Sequence, residues 1–290
     1  MWRNSGVKPS STAYPRLTVL ASGAAAALPA LAIQLGAQQA SYRFPPNDTL
    51  KYHEITESRI ELRPPRGVVT LTARHDAKIA LATDRGDTVT AWYEELALSS
   101  ASPQGDWRAS PSAALHLPFR LVLTRAGRVT TLSAPSFPPE IASHTDLTRQ
   151  FEDFFISLPP SALRPSVTWA DTVESSTTES PRETYQSRHI RRYRALRDTV
   201  LASGLAAMVI AFEQEITVRS SSPMKNAAVT IHTRLDGREE GTAVFAPAAA
   251  RLLSRVRRGH LDGEQVLKGE GREMTVPMVY DYSSNLDGLP

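Results

Sequence analysis

The 290-residue sequence contains no cysteine, which excludes disulfide bonds, thiolate metal sites and cysteine nucleophiles. Its seven histidines never have the spacing of a metal-binding motif, and His75, on the apolar face of a strand, is predicted to be a buried, hydrogen-bonded structural residue. The glycine-rich phosphate loop, the H-E-x-x-H zinc motif and the G-x-S-x-G nucleophile elbow are also missing. These absences predict a non-enzymatic protein that uses neither a metal ion nor a cofactor.

The sequence also lacks an excess of one sign of charge. It has 33 basic and 30 acidic residues, and three of the basic residues, Arg3, Lys8 and Arg16, fall within the first 40 positions. Residues 41–290 therefore carry 30 charges of each sign. Because nucleic-acid-binding proteins use surplus basic residues to neutralise phosphates, this balance predicts no nucleic-acid partner.

The N-terminal 40 residues differ in kind from the rest of the chain. After the basic start, residues 17–35 carry no charge, and small residues follow. This order is typical of a secretory signal peptide, so residues 1–40 are predicted to be a signal peptide that is cleaved between Ala37 and Ser41. The alternative is a single membrane anchor, against which Pro29 and the high content of alanine and glycine argue. The mature protein is expected in the periplasm or at the cell surface, without stable membrane insertion.

The dominant pattern of the remaining chain is an alternation with period two. From Val69 to Leu81, apolar residues fall on one face of a strand and polar residues on the other. Similar strands recur, separated by Gly, Pro and Asp turns that include LDGRE (235–239) and LDGE (261–264). Residues 99–113 are rich in Ser, Pro and Gly and are predicted to form a loop. The predicted fold class is mainly antiparallel β.

Two segments depart from this alternation. In the first, apolar residues recur at the helical spacings of three and four: Ile141, Leu147, Phe151, Phe154, Phe155 and Leu158. This spacing predicts an amphipathic helix over residues 139–157. In the second, the apolar stretch 200–212 fits either a strand or a buried helix, and the alternating, β-branched residues that follow favour a strand.

A Pro-Pro pair begins each half of the mature chain. FPPNDTLKY (44–52) and LPPSALRPSVTWADTV (158–173) both continue with a polar turn and a threonine followed by an apolar residue. Because proline fixes an extended backbone without an N–H donor, each pair predicts the entry to a sheet. Residues 41–157 and 158–290 are therefore predicted to form two related antiparallel β-sheet halves, half-barrel-like, with one amphipathic helix.

The second Pro-Pro segment carries a resemblance to known proteins. LPPSALRPSVTW (158–169) resembles the Leu-Pro, spacer, Gly-Asp-x-Trp pattern of an uncharacterised family of secreted, β-rich bacterial proteins with a domain of unknown function. Ser166 and Val167 occupy the positions of the glycine and the aspartate. In layout the chain is also similar to the half-barrels of periplasmic lipoprotein carriers, which wrap a sheet around a helix and hold acyl chains. The resemblance implies export and a β fold, and no particular activity.

Arginine clusters and aromatic residues supply the candidate ligand-binding positions. RHIRRYRALR (188–197) and RLLSRVRRGH (251–260) place several arginines on one strand face, which suits a carboxylate or phosphate group. The alternative is a solvated face that is balanced by acidic neighbours. Aromatic side chains either line an apolar concavity or fill the core. The candidate ligand-binding residues are Trp92, Trp169, Tyr193, Arg192 and Arg194.

Two functions follow as predictions. The first is an exported binding protein for a lipid or other amphiphile, with the ligand in an apolar cavity between the sheet and the helix. The alternative is a structural or protein-interaction module of the cell envelope, with a filled core and an exposed sheet edge. The predicted partner is therefore an amphiphilic small molecule or an envelope protein.

Overall fold

The computed structural model describes residues 39–44, 48–142, 145–180, 183–224, 229–269 and 271–289. Within these ranges, twelve β-strands form one antiparallel sheet, and helical structure is limited to a four-residue α-helix and a three-residue 3₁₀ turn. None of the described helices has the length and hydrophobicity needed to cross a bilayer. The predicted signal peptide, up to residue 38, lies outside the described residues.

The elements are as follows in chain order. The first six strands are β1 (Thr49–Leu62), β2 (Val69–Arg85), β3 (Thr88–Ser102), β4 (Gly105–Ala109), β5 (Phe119–Leu123) and β6 (Val129–Ser133). The last six are β7 (Thr168–Ser180), β8 (Glu183–Val200), β9 (Ala206–Pro223), β10 (Val229–Ala246), β11 (Arg251–Gly269) and β12 (Arg272–Gly288). The 3₁₀ turn is Ser112–Ala114, and the helix α1 is Pro139–Ala142.

Neighbouring strands follow the order β6-β5-β3-β2-β1-β12-β11-β10-β9-β8-β7, and β4 pairs with the C-terminal part of β3. The first six and the last six strands meet where β1 pairs with β12, with Glu54 opposite Leu286. The sheet stays open, because β6 and β7 lie at the two ends of this order. The predicted mainly antiparallel, half-barrel-like fold is therefore confirmed. The division at residue 157 into two related halves stays a prediction.

The two faces of the sheet differ because side chains alternate along each strand. Large side chains are buried on the face that we call the core face: Tyr52, Ile79, Tyr93, Phe119, Tyr193, Ile210 and Phe245. The intervening residues point to the opposite face, which we call the polar face. Residues 134–167, the connecting segment between β6 and β7, pack against the core face through buried residues that include Phe151 and Phe154. The hydrophobic core therefore lies between the sheet and this segment.

The amphipathic helix predicted for residues 139–157 is wrong, because α1 ends at Ala142. Further along, the backbone makes separate i→i+3 turns, in which Gln150 N donates to Leu147 O (3.3 Å) and Phe154 N donates to Phe151 O (3.3 Å).

Burial explains this difference. An amphipathic helix keeps one face in water, whereas residues 154–158 of the connecting segment are all buried. A helix would turn part of this run towards solvent, and an irregular chain buries all of it. Earlier in the segment, the Asp146 carboxylate accepts a hydrogen bond from Thr148 N (2.9 Å), which competes with helical hydrogen bonding.

The two LDG turn predictions and the loop prediction are also wrong. Strand β4 lies inside the loop predicted for residues 99–113, and Gly237 and Gly263 occupy pairing positions within β10 and β11. A β-carbon at Gly237 would lie 2.2 Å from the carbonyl oxygen of His260, and one at Gly263 would lie 1.8 Å from that of Arg234. These glycines permit two backbones to approach closely, which is a different use of glycine from a turn.

Candidate functional site

Two open cavities lie on the polar face, with volumes of about 1070 Å³ and about 1000 Å³. We call them the first and the second cavity. They share four charged residues: Arg192, Glu213, Glu240 and Arg258. The two cavities are therefore parts of one groove, which we call the polar-face groove.

The groove is built from rows of side chains that cross the strands. The register places the following residues side by side from β8 to β4: Arg192, Glu213, Glu240, Arg258, Ser283, Glu57, Arg74, Ser99 and Arg108. We call this set the central row. At about 4.8 Å per strand, it extends roughly 40 Å along the sheet. The groove therefore crosses the strands and draws its lining from elements that are distant in the sequence.

Uncharged residues form the floor of the second cavity. In the row beside the central row, Ala211 on β9 lies opposite Thr242 on β10, which lies opposite Val256 on β11. We call these three residues the uncharged floor, and Val256 is 45% exposed there. The cavity is also lined by Arg192, Arg194 and Arg258, which we call the cationic rim. The second cavity thus combines positive charge with a small, partly apolar surface.

The charges shared by the two cavities differ in whether they are paired. Arg192 forms an ion pair with Glu215 at 3.0 Å. In the part of the chain that the structure describes, Glu213, Glu240 and Arg258 have no oppositely charged partner within 4 Å. Across the described ranges, no three His, Asp or Glu side chains are placed to hold a metal ion. The unpaired charges are therefore the groups that are free to meet a ligand.

Four of the five candidate ligand-binding residues line the second cavity: Trp169, Arg192, Tyr193 and Arg194. The two arginines are exposed on the polar face of β8, as their parity in the strand predicts. The fifth candidate, Trp92 on β3, lies opposite Ala80 on β2 and lines neither of these two cavities.

The two aromatic candidates point to the other side of the sheet. Tyr193 is only 4% exposed, and its ring stacks on that of Trp169 with 5.2 Å between centroids. Trp169 Nε1 donates a hydrogen bond to the carbonyl oxygen of Ser157 in the connecting segment (3.0 Å). These rings therefore support the strands beneath the second cavity from the core side.

Sequence reasoning missed a cluster of charges that is buried on the core face. Arg255, 2% exposed, pairs with the fully buried Glu54 at 3.3 Å. Its guanidinium group also donates to the carbonyl oxygen of Phe154 (2.8 Å), and Ser284 Oγ donates to Glu54 (2.9 Å). The interpretation of RLLSRVRRGH as a solvated face is therefore wrong for Arg255.

Asp153 extends this buried cluster into the connecting segment. Its carboxylate pairs with Arg191 and, at 3.5 Å, with Arg257. Burial by itself would raise the pKa of Asp153, but electrostatic interactions with Arg191, His189 and Arg257 lower that pKa below its ordinary value. Through these ion pairs, the cluster fastens the connecting segment to the sheet.

Comparisons with known proteins give no family for this chain. No protein-family model matches the sequence, and no curated protein matches it significantly. Among solved structures, one titled for lipid–protein interactions in lipovitellin aligns with 86% of this chain at 15% identity and a TM-score of 0.43. This chain spans about a quarter, 26%, of the lipovitellin chain.

Two structures from Pseudomonas align as well, with lower TM-scores. OccK2 of Pseudomonas aeruginosa aligns over 85% of this chain and 100% of its own at 8% identity, with a TM-score of 0.24. An outer membrane channel from Pseudomonas putida F1 aligns over 86% of this chain and 98% of its own at 8% identity, with a TM-score of 0.26. At TM-scores below 0.5, these likenesses support no inference about the family, ligand or activity of this chain.

Proposed function

We propose that this chain is an exported, non-enzymatic binding protein, and that its ligand is an amphiphile held in the second cavity of the polar-face groove. One observation carries the proposal: a cavity of about 1000 Å³ whose lining includes both the cationic rim and the uncharged floor. Small-molecule sites typically have volumes of this order, with apolar surface for most of the ligand and a few polar groups for its orientation. The rim would hold an anionic headgroup, and the floor would contact the apolar chain.

The position of this site differs from the one expected between the sheet and a helix. That space holds the protein's own aromatic side chains: the Phe151 ring lies 4.8 Å from the ring of Phe119 and 5.5 Å from that of Phe154, measured between centroids. All three residues are fully buried. A ligand on the core face would have to displace them, whereas the groove on the polar face is open.

Export and the lack of catalysis rest on the sequence. Residues 1–40 have the order of a signal peptide, and the chain lacks recognisable nucleophile, phosphate-loop and zinc motifs.

Native mass spectrometry tests the proposal with residues 41–290 and 1-lauroyl lysophosphatidic acid, added below its critical micelle concentration. We expect one lipid per chain. Thr242→Trp should weaken binding by about tenfold or more, because the indole would fill the uncharged floor. Thr172→Trp is the matched control. Thr172 is also an exposed threonine of the polar face, but it lies on β7 and lines neither cavity. Binding that survives Thr242→Trp unchanged would contradict the proposed site.

A structural or protein-interaction module remains the second candidate, and the edge strand β7 favours it. In the strand order of the described residues, β7 has β8 as its only neighbour, and its 13 residues include neither proline nor lysine. Those residues commonly protect an edge from further pairing, so their absence leaves β7 open to an added strand. A chain that binds no amphiphile in the test above would put this candidate first.

A further inference from the structure

Two glutamates face each other at the centre of the polar-face groove. Glu213 on β9 lies directly opposite Glu240 on β10. Arg192 on β8 lies opposite Glu213, and Arg258 on β11 lies opposite Glu240. The row therefore reads positive, negative, negative, positive across four neighbouring strands, and both cavities share all four of these residues.

This order of charges leaves the two carboxylates without a cation between them. Directly opposed residues of an antiparallel pair have their β-carbons about 4.5–5.5 Å apart, and like charges at that distance destabilise the pair. Arg192 is already bound to Glu215, and Arg258 has no acidic partner among the described residues. A positively charged group between Glu213 and Glu240 would relieve their repulsion.

We propose that this junction binds a zwitterionic headgroup, with a primary ammonium group between Glu213 and Glu240 and the adjoining phosphate on Arg258. The inference rests on the proposed function, because it names the headgroup of the amphiphile whose chain lies on the uncharged floor. Arg258 and Val256 lie two residues apart on β11 and point to the same face, so one molecule can reach both. Phosphate and ammonium oppose the charges that the row presents, and each forms charge-assisted hydrogen bonds there.

The surroundings distinguish this ligand from two others. A bare divalent cation would lie between two guanidinium groups as well as two carboxylates, since the four residues of the row carry no net charge. A quaternary ammonium group is usually held by aromatic faces. The aromatic residues that line the second cavity include Tyr193 and Phe212, both of which are buried on the core face. Carboxylates suit a primary ammonium group, which donates hydrogen bonds.

Isothermal titration calorimetry of residues 41–290 tests the inference with two lipids that have the same acyl chain, only one of which carries an ethanolamine group on its phosphate. These are 1-lauroyl lysophosphatidylethanolamine and 1-lauroyl lysophosphatidic acid, both below their critical micelle concentrations. We expect the ethanolamine lipid to bind about tenfold more tightly than the phosphatidic acid. The Glu213→Gln/Glu240→Gln variant should lose this preference and bind the phosphatidic acid at least as well as the unchanged chain does.

Glu174→Gln is the matched control, because Glu174 is an exposed glutamate of β7 that lines neither cavity. It should leave both affinities unchanged. Equal binding of the two lipids, or a preference that persists in the double variant, overturns the headgroup inference and leaves the amphiphile proposal standing. Failure of both lipids to bind overturns the proposed function and this inference with it.

Discussion

At the scale of single residues, Ser166 has a backbone conformation that serine adopts at a cost. Its φ angle is 70°, in the left-handed region that favours glycine, and its N–H donates to the carbonyl oxygen of Ala195 (2.7 Å). Ser166 also occupies the glycine position of the Gly-Asp-x-Trp pattern that this segment resembles. The backbone turn before β7 is therefore held here by a residue that is under strain.

We expect Ser166→Gly to raise the free energy of unfolding by about 0.5–1 kcal/mol, because relief of the strained φ exceeds the added entropy of the unfolded chain. Ser166→Val should act in the opposite direction, since a β-branched residue is least compatible with this conformation. Urea unfolding followed by circular dichroism measures both changes. A glycine variant less stable than the unchanged chain would show that the strain lies elsewhere.

His75 differs from its expected role as a hydrogen-bonded residue. Its ring lies against Tyr93 on the core face, 5.9 Å between centroids, and its Nε2 is buried without a hydrogen-bond partner among the described residues. Burial lowers the pKa of His75 below its ordinary value, and the nearby charges of Glu54 and Asp76 offset only part of that shift. The folded protein therefore favours the neutral imidazole.

This lowered pKa predicts a loss of stability on mild acidification. The unfolded chain takes up a proton at His75 near pH 6.5, while the folded chain does not until a lower pH. The contribution of His75 to the free energy of unfolding should therefore fall between pH 7.5 and pH 5.5, and His75→Phe should remove this contribution. His260→Asn should have the opposite effect and make the fall in the free energy of unfolding steeper. Hydrogen bonding to Asp281 raises the pKa of His260, so this residue stabilises the folded chain more at the lower pH. Urea unfolding at both pH values measures these changes. An identical change in the free energy of unfolding for wild type and His75→Phe would refute the prediction.

Single residues also mark how far the sequence predicts the site. Strand parity places Arg192 and Arg194 on one face and Arg191 and Tyr193 on the other, as the structure has them. The same parity was a signal that Arg191 would be buried, since it shares a face with an aromatic residue. The partner of Arg255 could not be found in this way, because Glu54 is 201 residues away in the chain.

At the scale of elements, the connecting segment is held by packing and by charge together. Its phenylalanines fill the core, while Asp153 and the carbonyl oxygen of Phe154 bind arginines of the sheet. The buried charges are costly to remove one at a time, because the remaining partner keeps its charge away from water. The segment therefore needs no regular helix to stay in place.

We expect Arg255→Met to lower the free energy of unfolding by about 3–5 kcal/mol, because Glu54 would remain buried with only the more distant Arg257, at 3.9 Å, as a charged partner. Adding Glu54→Gln should restore part of the loss, and the double-mutant cycle gives the coupling between the two residues. Arg234→Met is the control: its side chain is 65% exposed and should change stability by less than about 0.5 kcal/mol. Equal effects of Arg255→Met and Arg234→Met would contradict the buried pair.

Elements were predictable from the sequence where one face of a strand meets water. The alternation between Val69 and Leu81 placed β2 correctly for this reason. The connecting segment failed the same test because residues 154–158 are enclosed, so the apolar spacing there reports burial on all sides and not a helical period. The turn predictions at Gly237 and Gly263 failed because the sequence alone does not distinguish a glycine that permits close approach of a neighbouring backbone from one that makes a turn.

At the scale of the whole sheet, the β5–β6 turn near one edge of the sheet is connected to β7 at the other edge. Arg128, in the turn between β5 and β6, forms an ion pair with Asp171 on β7. Between them runs the connecting segment, where Leu158 N donates to the carbonyl oxygen of Ala126 (2.8 Å) and Ser157 Oγ bonds to Asp171. The open sheet is thus bridged by side chains and loop backbone where strand pairing is lacking.

The pairing of β1 with β12 also determines when this protein can fold. Glu54 on β1 and Ser284 on β12 are 230 residues apart, yet they share a hydrogen bond in the core. During synthesis, β1 can pair with β2 early, but its other neighbour emerges only after the ten intervening strands. Pairing across such a separation slows folding, and an incomplete sheet exposes apolar surface and an unpaired edge until the last strand arrives. The time between the first strand and the last is therefore the period in which the chain is most prone to aggregate.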